Sequence, residues 1–223
     1  SGNVISSNKI GDCKGNGICA NNGGRTLNVA STDNKITGNI INNTLNDGIY
    51  IGTGSTGTVI SKNDVGVSNK SGIVVLDSKK CQVISNKVSD CRLDGIYLKN
   101  IGDTDIKSNN VTTVKRYGVQ VISSQLKSLY GNTITGNGNC GLRIVQSRIS
   151  GSQQNRLRNN GSSYAVYSRN STGSVLVRLP ASARITRNTA RITGTAAGGR
   201  RLTVYVVTKS GNKRIGQGNV TSR

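Results

Sequence analysis

Polar and apolar positions repeat along this chain in fixed rows. Asn8, Asn39, Asn63, Asn86, Asn109, Asn132 and Asn155 are spaced 31, 24, 23, 23, 23 and 23 residues apart, each in the same local setting. Two places after each stands an aliphatic residue: Ile10, Ile41, Val65, Val88, Val111, Ile134 and Leu157. Three places before come Ile5, Ile36, Ile60, Val83, Ile106 and Leu129, with Ser152 in the last copy. Nine places after the first six is a glycine (Gly17, Gly48, Gly72, Gly95, Gly118, Gly141), where the seventh copy has Tyr164. Next come Ile18, Ile49, Ile73, Ile96, Val119, Leu142 and Ala165, and two further on Ala20, Ile51, Val75, Leu98, Val121, Ile144 and Tyr167. Four apolar rows in seven copies define an internal repeat.

The apolar residues alternate locally, as Ile96 and Leu98 do, and nowhere follow a 3.6-residue period, while Gly and Asn interrupt any helix. A period near 23 fits one solenoid coil of three short strands. Seven coils stacked about 4.8 Å apart would turn each row into an interior ladder and stand roughly 30 Å tall. The Asn row is assigned to the fold for two reasons. Asn tolerates the left-handed backbone of a sharp turn, and stacked amides can hydrogen-bond from coil to coil. The long first interval is read as a surface loop over Asn21–Asp33 with a Gly23-Gly24 turn. The chain starts inside a coil, from which upstream coils, or another molecule covering that end, are expected.

The I-S-x-N-x-I…G-I-Y-L pattern, as in Val83-Ile84-Ser85-Asn86-Lys87-Val88 and Gly95-Ile96-Tyr97-Leu98, resembles the right-handed parallel β-helix repeat family. That family includes pectate-lyase-like enzymes, periplasmic carbohydrate-binding proteins and sugar hydrolases. The resemblance covers residues 1–173 and implies an all-β, right-handed, three-faced helix of about seven coils. Residues 174–223 lose the period and read as a small β module with strands Ser174–Leu179, Ala190–Thr195, Leu202–Thr208 and Arg214–Val220 and a turn at Ser210-Gly211-Asn212. That segment is similar to bacterial immunoglobulin-like modules, although four strands fall short of a full sandwich, so a solenoid cap is the other reading.

Charge narrows the function. Thirty Lys+Arg stand against nine acids, all Asp, for a net +21. Residues 1–105 hold eleven basic residues and all nine Asp; residues 106–223 hold nineteen basic residues and no acid, ten of them after 173. Such a field suits an anionic partner: acidic polysaccharide, another polyanionic surface, or, without interleaved aromatics, less well a nucleic acid. Lys107, Arg116, Arg143, Arg156 and Arg169 fall in different rows, so no single basic groove is expected. With no His, Ser-His-Asp and Cys-His machinery and imidazole metal sites are excluded. The apolar runs are too short to span a bilayer, and an extracellular or cell-surface location, with any export signal already removed, is expected. Cys13, Cys19, Cys81, Cys91 and Cys140 are odd in number and lack metal spacing; they read as small apolar residues, with a Cys13–Cys19 bridge open.

Glycosidases need a carboxylate pair, and with no Glu it must come from Asp. Asp47 and Asp94 share a row two coils apart with Ser71 between, and Asp12 and Asp90 share another three coils apart. Asp103 and Asp105 face Lys80 and Gln82 of the preceding coil. They are the weak candidates for a calcium site, with Arg143 as the base of a lyase, but lie on a different face from it. No cofactor is therefore expected. The outward position between the interior rows reads Cys19, Tyr50, Val74, Tyr97, Gln120, Arg143 and Val166, and D-G-I-Y recurs at Asp47–Tyr50 and Asp94–Tyr97. Rings that stack on sugar C–H faces, flanked by amide and charged groups, make Asp47, Tyr50, Asp94, Tyr97, Gln120 and Arg143 the candidate glycan-binding residues. The expected function is a non-catalytic glycan-binding or adhesive surface protein. A polysaccharide lyase or hydrolase, or a subunit stacking head to tail into a filament, are the alternatives.

Overall fold

A computed structural model of the protein describes residues 2–21, 31–161, 165–178, 190–193, 202–208 and 211–217. It is an all-β parallel solenoid. The first strands of the coils (Val4–Ser6, Lys35–Thr37, Val59–Ser61, Gln82–Ile84, Thr104–Lys107, Gln125–Tyr130) pair in parallel, one coil on the next. The second strands (Lys9–Ile10, Ile40–Ile41, Asp64–Val65, Lys87–Ser89, Asn110–Thr112, Thr133–Thr135, Asn155–Arg158) do the same. The third strands (Ile18–Ala20, Ile49–Ile51, Ile73–Leu76, Ile96–Lys99, Val119–Ile122, Leu142–Val145, Val166–Arg169, Ala190–Thr193) form a separate eight-stranded sheet. Their interior residues make one core; Ile36, Ile60, Ile106, Ile49, Ile73, Ile96 and Leu98 have no exposed surface.

The Asn row is a continuous hydrogen-bonded ladder, and one of the two reasons expected for it is corrected. The left-handed backbone falls on the residue before each Asn: Ser7, Gly38, Lys62, Ser85, Ser108, Gly131 and Gln154. The asparagines themselves turn inward and work through the amide. Asn86 Nδ2 donates to Asn109 Oδ1 at 3.0 Å and to the Ile60 carbonyl at 2.9 Å, and its Oδ1 accepts from both the backbone N–H and Nδ2 of Asn63. The same pattern runs from Asn8 to Asn155. No other side chain of this size offers two donors and an acceptor with two lone pairs.

The other corners use the same device. A left-handed residue is followed by an inward polar group that accepts the N–H of the coil before. Ser147 Oγ accepts from Ser124 N, Ser171 Oγ from Ser147 N, and Asn137 and Asn160 Oδ1 from Val114 and Asn137 N. These short ladders carry their own 23- and 24-residue spacings, which the seven-copy count passes over because they begin midway along the chain.

The glycine row answers to close approach and not to a special φ. A Cβ on Gly95 would run into the Val111 methyl and the Gly118 carbonyl oxygen, and the same clash recurs at Gly17, Gly48, Gly72 and Gly118, while at Gly141 it would meet the Leu157 methyl and the Asn160 amide. In the seventh copy the coil is one residue longer. Leu142 pairs with Val166, and the Leu142 N–H donates to the Ala165 carbonyl, so Ala165 takes the glycine place. Val166 and Ser168 point inward and Tyr167 outward, which corrects the expected row; Tyr164 lies outside the described residues.

Thr172–Arg178 pairs in parallel with Arg148–Ile149 and with Asn155–Arg156, and Ala190–Thr193 extends the eight-stranded sheet. Leu202–Thr208 adds in parallel to residues 173–177 and forms an antiparallel hairpin with Gly211–Gln217, closing at Thr208 and Gly211. These pieces prolong the coil ladders, and the immunoglobulin-like resemblance gains no support from them. The rest of that segment lies outside the described residues, as does most of the expected Asn21–Asp33 loop with its Gly23-Gly24 turn.

Candidate functional site

The outer face of the third-strand sheet presents the row Cys19, Tyr50, Val74, Tyr97, Gln120, Arg143 and Tyr167, each residue in register with the next. Two residues on, Leu76, Lys99, Ile122, Val145 and Arg169 form a flanking row on the same face. Tyr50, Tyr97, Arg143 and Tyr167 are half-buried, whereas Val74 and Gln120 are covered.

Side chains from different rows converge here: no single basic groove forms among the described residues, but two of the basic residues, Arg116 and Arg143, meet over one ring. The Arg116 guanidinium lies 5.4 Å from the centre of the Tyr117 ring and the Arg143 guanidinium 5.3 Å from the same ring. Arg143 is also 5.6 Å from the Tyr167 ring. Guanidiniums at these distances are held by the ring quadrupole. Arg116 Nε is 3.7 Å from Asp94 Oδ1. The exposed Arg92 and Lys115 stack on successive coils of the adjoining corner. Lys107 and Arg156 lie on the other faces, on first and second strands. Arg116, Tyr117 and Tyr167 were missed because row counting compares only equivalent positions, while a long side chain reaches across a row. The cluster also stands in the basic half of the chain, not the neutral half that holds Tyr50 and Tyr97.

Asp47 and Asp94 are corner groups of this face. Asp47 is 9% exposed and its Oδ1 accepts from the Ser71 N–H at 2.8 Å; Asp94 is 3% exposed and its Oδ1 accepts from the Tyr117 N–H at 3.2 Å. They bracket Ser71 in one inward ladder that begins with the Asn16 side chain accepting from Asp47 N. Burial pushes both carboxyls up; the Ser71 N–H and Lys70 oppose it at Asp47, and Arg116, the Tyr117 N–H and Arg143 oppose it at Asp94. Burial also raises the Tyr50 and Tyr97 hydroxyls, with Asp47 adding to the first and Asp94 to the second. These tyrosines are neutral hydrogen-bonding groups at physiological pH.

A stability consequence follows for Asp47. A carboxyl raised in the fold penalises its charged form, so its contribution is most favourable below the unfolded value near 3.9 and is lost as pH rises through the folded one. Asp47→Asn keeps the acceptor for Ser71 and removes the charge. Thermal melts should show a higher Tm than wild type at pH 7 and a difference that closes by pH 3. A lower Tm at pH 7 would show that the charged hydrogen bond outweighs burial.

Asp105 is placed elsewhere. Burial would raise it, but the Ser128 hydroxyl and Lys107 hold it below the usual carboxylate range. Asp103 takes a left-handed turn conformation and lines a corner groove of about 450 Å³ with Lys79, Lys80 and Asn100. Neither joins Arg143. Among the described residues no three His, Cys, Asp or Glu side chains are arranged to hold a metal ion, and no helix is long and apolar enough to cross a membrane. Cys81, Cys91 and Cys140 are buried and their thiols are pushed up to about 11, 12 and 12 by burial; Cys13 and Cys19 are unpaired with each other.

Residues 47–199 match the family described as a right-handed beta helix region, more than half of the chain and including the face from Tyr50 to Tyr167. The chain belongs to the right-handed β-helix family. Among solved structures, this β-helix is similar to the enzymatically active domain of bacteriophage CBA120 tailspike protein 2, at a TM-score of 0.66 and 14% identity, covering 91% of this chain and 35% of that one. It is also similar to the A-module of the Azotobacter vinelandii mannuronan C-5 epimerase AlgE6, at a TM-score of 0.62 and 13% identity, covering 79% of this chain and 52% of that one. At such identities the likeness is one of fold, and the chain spans about a third of the tailspike domain and about half of the epimerase module. No curated protein matches by sequence.

Proposed function

We propose that this β-helix is a non-catalytic binder of acidic polysaccharide at an extracellular or cell surface, its ligand running over Tyr50, Tyr97, Gln120 and Arg143. The observation that carries the reading is the convergence of Arg116 and Arg143 on Tyr117 beside Tyr167 and the buried Asp94. The one carboxylate of the cluster, Asp94, pairs with Arg116, so Arg143 leaves spare positive charge on an open face. An anion relieves the repulsion between the two guanidiniums, and a guanidinium forks onto carboxylates and other oxyanions. The rings supply flat surfaces for sugar C–H faces. The nineteen basic residues after position 105, with no acid among them, draw a polyanion toward this half. A similar fold in the mannuronan epimerase acts on a polysaccharide, which agrees with the ligand class of the reading.

Binding without turnover fits the carboxylates. Asp47 and Asp94 serve as backbone acceptors two coils apart with Ser71 between them, and among the described residues no row brings two carboxylates onto adjacent coils. Burial raises the Tyr97 hydroxyl, so its phenolate is scarce at physiological pH. An array of carboxylated, sulfated and neutral polysaccharides tests the proposal with wild type and Tyr97→Ala side by side. Retention of acidic chains by wild type and clear weakening in Tyr97→Ala are expected. Unchanged binding by the variant would remove the tyrosine stripe from the account, and release of unsaturated uronate from pectate or alginate would overturn its non-catalytic part.

A further inference from the structure

We propose that Gln120 is the specificity-determining residue of this face, an internal acceptor that selects anionic sugars carrying a free ring hydroxyl about one coil spacing from the anionic group. The inference rests on the glycan-binding reading above and adds what the ligand must present. Gln120 stands in the outward row between Tyr97 and Arg143. It is nevertheless only 4% exposed, and its Oε1 is buried with no hydrogen-bond partner. An unmet buried acceptor carries a penalty equivalent to roughly 5- to 150-fold in an equilibrium constant. The equivalent place two coils earlier, between Tyr50 and Tyr97, is held by Val74, equally covered and apolar. An aliphatic side chain therefore suits this position, and the amide at 120 is a cost to the fold with no return inside the protein.

A ligand supplies the return. Arg143, on the next coil about 4.8 Å away along the stack, is half-buried and held by the Tyr117 and Tyr167 rings instead of by a carboxylate. A cation so held is free to turn toward an incoming anion. When its guanidinium takes the anionic group, the side of Gln120 that faces Arg143 opens, and a hydroxyl of the same sugar donates to Oε1. The spacing of one coil matches that between an anionic substituent and a nearby ring hydroxyl. A sugar with that hydroxyl capped would leave Oε1 unmet.

The test is calorimetric titration of wild type and Gln120→Met with pectate and alginate oligosaccharides and with the same oligosaccharides O-acetylated, their carboxylates left free. Wild type is expected to prefer the free-hydroxyl forms by at least about ten-fold. Gln120→Met, which keeps length and removes the acceptor, should have a higher Tm and bind both forms alike, near the wild-type affinity for the acetylated ones. Gln120→Glu retains an acceptor and should keep the preference at lower overall affinity. A preference that survives in Gln120→Met is steric and overturns the assignment, as does wild type showing none. If wild type binds none of these oligosaccharides, the acidic-glycan reading fails first.

Discussion

Arg143→Ala is expected to weaken acidic-polysaccharide binding by roughly 10- to 100-fold, the scale of one charge-assisted hydrogen bond of about 1.5–3 kcal/mol. Arg143 is the only guanidinium in the outward row of the described third strands from Ile18 to Arg169, and it touches two rings, Tyr117 and Tyr167. Removing it takes away one of the two cations that converge on Tyr117 and leaves Arg116 paired with Asp94. Arg143→Lys distinguishes charge from shape. A lysine keeps the long-range attraction but loses the planar fork and the stacking surface, so its affinity should lie between wild type and Arg143→Ala. Titrations at two ionic strengths complete the test. Wild-type affinity should fall as salt rises, and the slope should be shallower in Arg143→Ala. Equal affinity and equal salt dependence in wild type and Arg143→Ala would show that Arg143 only covers the sheet.

Asn86→Ala is expected to be the most damaging single substitution in the asparagine ladder. Its loss takes the side-chain acceptor from the Asn63 N–H and the amide donor from the Ile60 carbonyl, both buried, leaves the Asn63 amide only the Ile36 carbonyl, and halves the partners of Asn109 Oδ1. Unmade buried hydrogen bonds cost about 1–3 kcal/mol each, so a loss of roughly 3–5 kcal/mol follows, or about 10–15 °C in Tm for a chain of this size. Asn8→Ala is the internal control. Asn8 is exposed, and its amide donates to Ser6 O and Asn39 Oδ1 without receiving a bond from another ladder residue. Its removal should cost well under half as much. Comparable losses at both ends of that comparison would mean that the ladder stabilises through turn geometry and not through the buried amides.

The period exposed nearly all of the fold, because stacked parallel strands place equivalent residues in one row and a row is visible as a spacing. The seven asparagines, the glycines from Gly17 to Gly141 and, through the first six coils, the four apolar rows lie where counting put them. Counting erred where the coil length changed. One extra residue between Asn155 and Val166 moves Tyr167, not Val166, to the outward row and puts Ala165 in the glycine place. It also assigned the left-handed turn to Asn when Ser85 or Lys62 bears it, since composition cannot separate adjacent positions of one turn. The site was legible only in part for a different reason. Tyr97, Gln120 and Arg143 form a row, but Arg116 and Tyr117 reach it from the corner, and side-chain reach leaves no mark in a spacing. The burial of Gln120 was hidden in the same way, because an outward position is covered only when its neighbours are large.

A crystal structure of the protein with an acidic oligosaccharide that it retains tests the central claim most directly. The account predicts the sugar chain on the outer face of the third-strand sheet, a ring stacked near Tyr97 or Tyr167 and its anionic group within hydrogen-bonding distance of Arg143 or Arg116. A ligand seated instead on the first or second strands, or in the corner groove beside Lys79 and Lys80 with the Arg116–Arg143 cluster unchanged and empty, would contradict it.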